Sequence, residues 1–120
     1  MATKTQKDSI SKQFEPFIEE LKKNLKPIPE PQEWNHCIDV FSKWRGNYFY
    51  IMQKFKVGGE NRYKDFFDSG IARLELVGKD HFSLSFYTSS EKWERHFMYQ
   101  NVSFDEAQRV ILEDDMFTIF

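Results

Sequence analysis

Residues 81–100 read HFSLSFYTSSEKWERHFMYQ, with apolar and polar side chains alternating on both sides of a serine pair. Alternation over about 4–8 residues is typical of a strand with one buried face. If Ser89 and Ser90 form a two-residue turn, the two halves pair as an antiparallel hairpin. One face then holds apolar residues that we expect in the core: Phe82, Leu84, Phe86, Trp93, Phe97 and Tyr99. The other face, which we expect to be open to solvent or to a partner, holds His81, Ser83, Ser85, Tyr87, Lys92, Glu94, His96 and Met98.

The chain before this hairpin has the same aromatic and β-branched composition, interrupted by turn residues. This pattern predicts an antiparallel meander of about five strands. We expect the strands at His36–Trp44, Asn47–Val57, Ile71–Val77, Phe82–Thr88 and Lys92–Gln100. The stretch from Gly58 to Gly70 begins with a glycine pair, and we expect it to form a long loop or a short helical excursion.

A helix is predicted before the sheet, between Ser9 and Lys26. Its apolar residues recur at helical spacing and lie on one stripe: Ile10, Phe14, Phe17, Ile18, Leu21 and Leu25. Pro16 conflicts with an uninterrupted helix because proline lacks an N–H group, so we expect a kink or a helix that starts near Gln13. Residues 1–8 are expected to be disordered, and the proline-rich segment 27–33 is expected to be an extended connector.

A second helix is predicted after the sheet. Ser103 and Glu106 have the spacing of a capping box, which predicts a helix from Phe104 to about Leu112. The segment after it carries apolar residues that we expect to dock on the sheet: Met116, Phe117, Ile119 and Phe120. The predicted fold class is therefore α+β, with residues 1–120 in a single domain.

Charge and cysteine content restrict the classes of function. The chain has 17 Lys and Arg against 19 Asp and Glu, a formal net charge of −2, so nucleic acid is not the expected partner. Cys37 is the single cysteine, which excludes an internal disulfide and predicts a reducing, cytoplasmic location. No apolar run approaches the ~20 residues that cross a bilayer, and we expect no membrane association.

The C-terminal half of the chain resembles a known family. The elements that carry the resemblance are Ile71 to Glu75, Phe82 to Tyr87, the Lys92-Trp93 pair followed by Tyr99, the Ser103-capped helix, and the ending from Glu113 to Phe120. Together they resemble a family of small bacterial proteins that is classified only as a domain of unknown function. The resemblance covers about residues 71–120 and implies a small α+β protein with an aromatic sheet. It implies no activity and no catalytic residues.

Few residues have the spacing of a catalytic or metal site. His81, Glu94 and His96 fall on one predicted face, and histidine with carboxylate suits zinc, but no complete set of ligands can be assembled from the sequence. His36 and Cys37 are adjacent in a predicted strand and point to opposite faces, which does not suit a nucleophile and its base. No phosphate-loop, nucleophile-elbow or dinucleotide motif occurs. We therefore predict no metal, no cofactor and no catalytic residue.

Three functions remain as hypotheses. The first is a non-enzymatic interaction module that binds a partner protein, or a second copy at a sheet edge. Its candidate binding residues lie on the polar hairpin face and in the Gly58–Gly70 loop: His81, Glu94, His96, Tyr87, Tyr63 and Phe66. The second is a small-molecule-binding protein or an enzyme, with an aromatic pocket lined by Trp34, Trp44, Tyr48 and Tyr50.

The third hypothesis is binding of single-stranded nucleic acid, because exposed aromatic rings can stack on bases. Its basic residues are close in sequence: Lys43, Arg45, Lys54, Lys56 and Arg62. Glu60, Asp65 and Asp68 lie close to these cations in sequence, so neutralisation of the patch is an equal alternative. The predicted register places most of the aromatic residues in the core, and the net charge gives no general attraction to phosphate, so the third hypothesis ranks below the other two.

Overall fold

The sheet is an antiparallel meander, as the alternation predicts. The computed structural model describes residues 2–60 and 63–120. Its strands are β1 (His36–Arg45), β2 (Tyr48–Lys56), β3 (Phe66–Leu76), β4 (His81–Tyr87), β5 (Trp93–Arg95) and β6 (Val102–Ser103). The order is β1-β2-β3-β4-β5, and β6 pairs with β4. With the helices α1 (Lys4–Lys23) and α2 (Phe104–Glu113), this confirms the α+β class.

Strand β3 begins at Phe66, so the prediction of a loop or helix was wrong for residues 66–70. These residues pair with β2, and the Phe67 ring stacks on the Phe55 ring at 5.1 Å. The β2–β3 register shifts between Ile51 and Met52, and the shift leaves one extra residue in β3. Such a bulge interrupts the alternation of side chains, and this hides the first half of the strand from pattern analysis.

Helix α1 begins at Lys4, so the alternative of a start near Gln13 was wrong, and so was the predicted disorder of residues 2–8. The Thr3 side chain accepts from the Gln6 backbone N–H, and the Gln6 side chain accepts from the Thr3 N–H. This reciprocal capping box satisfies two of the unpaired N–H groups at the helix start. Pro16 lies inside the helix and is exposed. Met1, included in the predicted disorder, lies outside the described residues.

Both helices pack on one face of the sheet and form a single core with it. The core includes Phe14 of α1, Ile111 of α2, and alternate strand residues such as Phe49, Leu74 and Leu84. Neither helix covers the other face, which we call the helix-free face. Its strand residues are Phe41, Lys43, Arg45, Tyr48, Tyr50, Met52, Lys54, Lys56, Phe66, Asp68, Gly70, Arg73, Glu75, Ser83, Ser85, Tyr87, Trp93 and Arg95. Within the described chain, no helix is long and apolar enough to cross a membrane.

The segment after α2 docks against the sheet through Phe117 and Ile119, as predicted, but Met116 and Phe120 are exposed, so the prediction was wrong for these two side chains. Phe117 is buried, and Ile119 packs against the core. Gln53 of β2 is buried, and its side chain donates to the Thr118 carbonyl at 2.9 Å and accepts from the Phe120 N–H at 3.0 Å. A single amide side chain therefore satisfies two backbone groups of the tail and holds it over the core.

Candidate functional site

The β4–β5 hairpin is one residue out of the predicted register. The Thr88 N–H donates to the Lys92 carbonyl at 2.8 Å, so three residues form the loop, and Glu91 has a φ of 61°. A turn followed by a left-handed residue is the usual three-residue hairpin. Tyr87 therefore lies opposite Trp93, and the two side chains share the helix-free face. The prediction that Trp93 belongs to the core was wrong.

The other members of the predicted core face divide into two groups. Phe82 and Leu84 are buried, and Phe86 and Tyr99 pack against the core, which confirms these four. Phe97 is 87% exposed, so its assignment to the core was wrong. Strand β5 ends at Arg95, and the chain then turns, so the alternation does not continue to Phe97.

Trp93 is the centre of an aromatic cluster on the helix-free face. Its ring contacts Tyr87 at 5.0 Å and Tyr50 at 5.4 Å, and Tyr48 lies 6.4 Å from Tyr50. The Trp93 ring also covers Gly70, where an added Cβ would lie 2.4 Å from it. Glycine at this position therefore leaves the space that the indole occupies.

Arg73 adds an unneutralised charge to the aromatic cluster. Its guanidinium lies 4.4 Å from the centre of the Tyr48 ring and 5.8 Å from that of Trp93. One terminal nitrogen donates to the Ser85 hydroxyl at 3.2 Å, while the buried Nε has no hydrogen-bond partner in residues 2–60 and 63–120. Among the residues that the structure describes, no carboxylate forms an ion pair with Arg73. Its charge is therefore not neutralised within the described chain, and the guanidinium can attract an anion that approaches the face.

The helix-free face is positively charged although the chain is negative overall. It carries six cations, Lys43, Arg45, Lys54, Lys56, Arg73 and Arg95, against two carboxylates, Asp68 and Glu75, an excess of four positive charges. Asp39 of β1 lies opposite Lys54 in register and is left out of this count because its carboxylate pairs with Lys22 of α1 at 3.7 Å. Lys43 lies over the Tyr50 ring at 5.7 Å, and Lys54 over Phe66 at 5.0 Å. The net charge of the whole chain thus conceals a local basic surface.

Part of this surface was recognisable in the sequence. Lys43 and Arg45 alternate in β1, and Tyr48, Tyr50, Lys54 and Lys56 follow the same alternation in β2. Period-two spacing places such residues on one face, so the basic and aromatic character of β1 and β2 could have been predicted. Arg62, which the third hypothesis included, lies outside the described residues.

The structure distributes the six predicted binding residues over different surfaces. Tyr87 and Phe66 lie on the helix-free face. His81 and Glu94 are exposed, Tyr63 is exposed beyond the end of β2, and His96 is buried. Burial, with a smaller effect from the charge of Glu91, raises the pKa of the Tyr87 phenol, so it stays a neutral hydrogen-bonding group at ordinary pH. In the described chain, no three His, Cys, Asp or Glu residues are grouped so that they could hold a metal ion.

His96 is part of the core packing and not of an open polar face, so its predicted exposure was wrong. Its Nδ1 accepts from the Met98 N–H at 3.2 Å, so the proton is on Nε2, which donates to Asp114 at 3.0 Å. The ring stacks on Phe117 at 5.9 Å and contacts Tyr99 at 4.6 Å. This histidine joins the hairpin to the end of α2.

The four aromatic residues of the second hypothesis do not line one pocket. Trp44 lies on the helix side, where its indole N–H donates to the Ser11 hydroxyl at 2.9 Å. Tyr48 and Tyr50 lie on the helix-free face, and Trp34 is 76% exposed before β1. Strand alternation separates Trp44 from the two tyrosines, because paired residues point to the same face and neighbours along a strand to opposite faces.

Comparison with known proteins identifies a family but no activity. A family model described as Domain of unknown function (DUF3024) matches residues 1–120. The match extends over the first half of the chain as well as the segment 71–120 that carries the resemblance. No curated protein and no solved structure matches the chain.

Proposed function

Because this chain belongs to the family described as Domain of unknown function (DUF3024), whose description names no activity, we propose a function from geometry: a non-catalytic module that binds single-stranded nucleic acid on its helix-free face. The observation that carries this proposal is the coincidence of an aromatic cluster and four excess positive charges on the face that no helix covers. The predicted cytoplasmic location is consistent with such a ligand, and it stays a prediction.

The chemistry of the face suits the two parts of a nucleotide. Cations attract the phosphate backbone, and aromatic rings stack on bases, a contact worth roughly 1–3 kcal/mol per base. Open antiparallel sheets that bind RNA stack about two or three bases in this way. Trp93 and Tyr48 are half-buried and supply the rings, the buried Tyr50 supports the Trp93 ring, and Arg73 supplies a positive charge without an ion-pair partner in the described chain.

The register correction weakens one argument that ranked nucleic acid third. With Trp93 in the core, only Tyr48, Tyr50 and Tyr87 would accompany the cations, and the tryptophan would lie on the opposite side of the sheet. With Trp93 beside Tyr87, they share one surface. A single strand fits this surface better than a duplex, because paired bases do not present their ring faces for stacking.

Replacing Trp93 with leucine is expected to weaken binding of a labelled thymidine oligonucleotide of about 10–15 nucleotides by roughly 5- to 150-fold. The reason is the loss of one stacked base, while leucine still covers Gly70. The measurement is fluorescence anisotropy at low salt. Trp34→Leu is the matched control, because it removes an exposed tryptophan outside the aromatic cluster, and its affinity should equal that of the wild type.

Arg73→Gln tests the contribution of charge to the same binding, independently of ring stacking. For this variant, the logarithm of the association constant is plotted against the logarithm of the salt concentration. The slope should decrease in magnitude by about 0.7, the value for one lost phosphate contact on a single strand. Lys12→Gln on the exposed side of α1 should leave the slope unchanged. Equal weakening by Trp93→Leu and Trp34→Leu, or a duplex bound as tightly as the single strand, contradicts the proposal.

A second candidate function, the interaction module with a protein partner, is favoured by a separate apolar surface. Phe97, Met98 and Met116 are 87%, 62% and 47% exposed. Phe97 and Met98 contact the buried His96, and the Met116 N–H donates to Asp114, which pairs with His96. Exposed apolar patches of this kind mark protein-binding surfaces. The exposed residues lie beyond the end of β5 and are separate from the cations of the helix-free face.

Phe97→Asp is expected to abolish capture of a specific partner from a lysate of the source organism, because a buried charge at an apolar contact has no partner. The measurement is affinity capture with quantitative mass spectrometry of the retained proteins. Leu112→Asp, at another exposed apolar residue on α2, is the control and should retain the partner. Identical retained proteins for both variants would rule out this surface.

Native mass spectrometry of the purified chain tests the alternative of self-association through a sheet edge.

A further inference from the structure

A cavity of about 490 Å³ lies on the helix side of the sheet, away from the helix-free face. It opens between the end of α1, the first residues of β1 and the docked C-terminal tail. Its walls include Lys26, His36, Cys37, Phe55, Ile119 and Phe120. The volume falls in the range of roughly 300–1,000 Å³ that is typical of small-molecule sites.

The cavity is apolar with a cationic and polar rim. Phe55, Ile119 and Phe120 supply hydrocarbon surface, and no aspartate or glutamate side chain is among the lining residues. The Lys26 side chain is exposed and forms no ion pair within the described chain. His36 also lines the cavity, and its buried Nδ1 has no hydrogen-bond partner among the described residues. Buried polar atoms are almost always paired, so this nitrogen has capacity for a further polar contact.

We propose that this cavity binds a small amphipathic anion, a carboxylate or sulfonate that carries an apolar ring or chain. The apolar part packs on Phe55, Ile119 and Phe120, and the anionic group interacts with Lys26 and His36. This complementarity of charge and hydrocarbon surface selects against cations and against fully polar solutes. The site is separate from the nucleic-acid surface, and the inference does not depend on that proposal.

The test uses 8-anilino-1-naphthalenesulfonate as the probe, because it combines an anionic group with aromatic rings and fluoresces in apolar surroundings. We expect saturable binding of one molecule per chain. Lys26→Gln should weaken the affinity about fivefold or more, a loss of ~1 kcal/mol that corresponds to one charged contact. Lys23→Gln is the matched control: Lys23 lies in the last turn of α1 and pairs with Glu20, so the affinity should not change.

Cys37 provides a second readout that locates the probe. It is the only thiol in the chain, and it is buried in the cavity wall. Burial raises the pKa of the Cys37 thiol, so its alkylation by iodoacetamide is slow and depends on access. A saturating concentration of the probe should slow this alkylation further, as measured by mass spectrometry. An unchanged alkylation rate, or equal affinities for Lys26→Gln and Lys23→Gln, overturns the proposal.

Discussion

Phe14→Ala is expected to lower the free energy of unfolding by about 3–5 kcal/mol. The Phe14 ring is completely buried at the contact between α1 and the sheet. It lies 4.7 Å from the Phe104 ring, 5.2 Å from Phe49 and 6.1 Å from Phe82. Alanine leaves a cavity bordered by both helices and two strands, which the surroundings fill only in part. Whole domains are stable by about 5–15 kcal/mol, so the loss is a large fraction of the total.

The measurement for Phe14→Ala is urea unfolding followed by circular dichroism. The urea concentration at the unfolding midpoint should fall. The dependence of the free energy of unfolding on urea concentration should stay constant, because the surface exposed on unfolding is nearly the same. Phe97→Ala is the matched control: the same atoms are removed from a ring that is 87% exposed, and the change should stay within about 0.5 kcal/mol. Equal effects at both positions would show that α1 does not dock on the sheet as described.

Gly58→Ala is expected to lower the free energy of unfolding by about 2–4 kcal/mol. An added Cβ at Gly58 would lie 2.4 Å from the Trp34 carbonyl oxygen and 2.8 Å from the Trp34 nitrogen. Both are backbone atoms, so the segment before β1 must move away from the end of β2. That movement breaks three hydrogen bonds. The Gly59 N–H donates to the Gln32 carbonyl, and the Gly58 N–H donates to the Asn35 side chain. The Gln32 side chain donates to the Lys56 carbonyl. Each such hydrogen bond contributes about 1 kcal/mol.

Gly78→Ala separates this clash from a general effect of adding a methyl group. A Cβ at Gly78 meets only His81 at 3.9 Å, an ordinary contact, so its stability should change by less than about 0.5 kcal/mol. Hydrogen exchange gives a local readout, since the Gly59 amide should lose protection in Gly58→Ala. Wild-type stability of Gly58→Ala would show that residues 32–35 do not pack against Gly58.

The helix-free face shows the limit of prediction by local pattern. Lys43, Tyr48 and Tyr50 were assignable to one face because β1 and β2 alternate without interruption in this region. Trp93 was not, because its face depends on the length of the preceding turn. The sequence Ser89-Ser90-Glu91 contains no glycine or asparagine to mark the left-handed position that Glu91 adopts. One residue of difference in the turn moves a tryptophan from the core to the surface.

The sequence by itself determined the α+β class, the meander, the capped start of α2 and the docked tail. Each of these follows from local periodicity, from capping residues, or from the cost of exposing apolar side chains. Tertiary structure alone decided the bulge in β3, the register of β4 with β5, the burial of His96 and the cavity beside Cys37. These features depend on which distant segments pair and on the space between them. Gln53 contacts the tail at Thr118, and such a contact has no local signature in the chain.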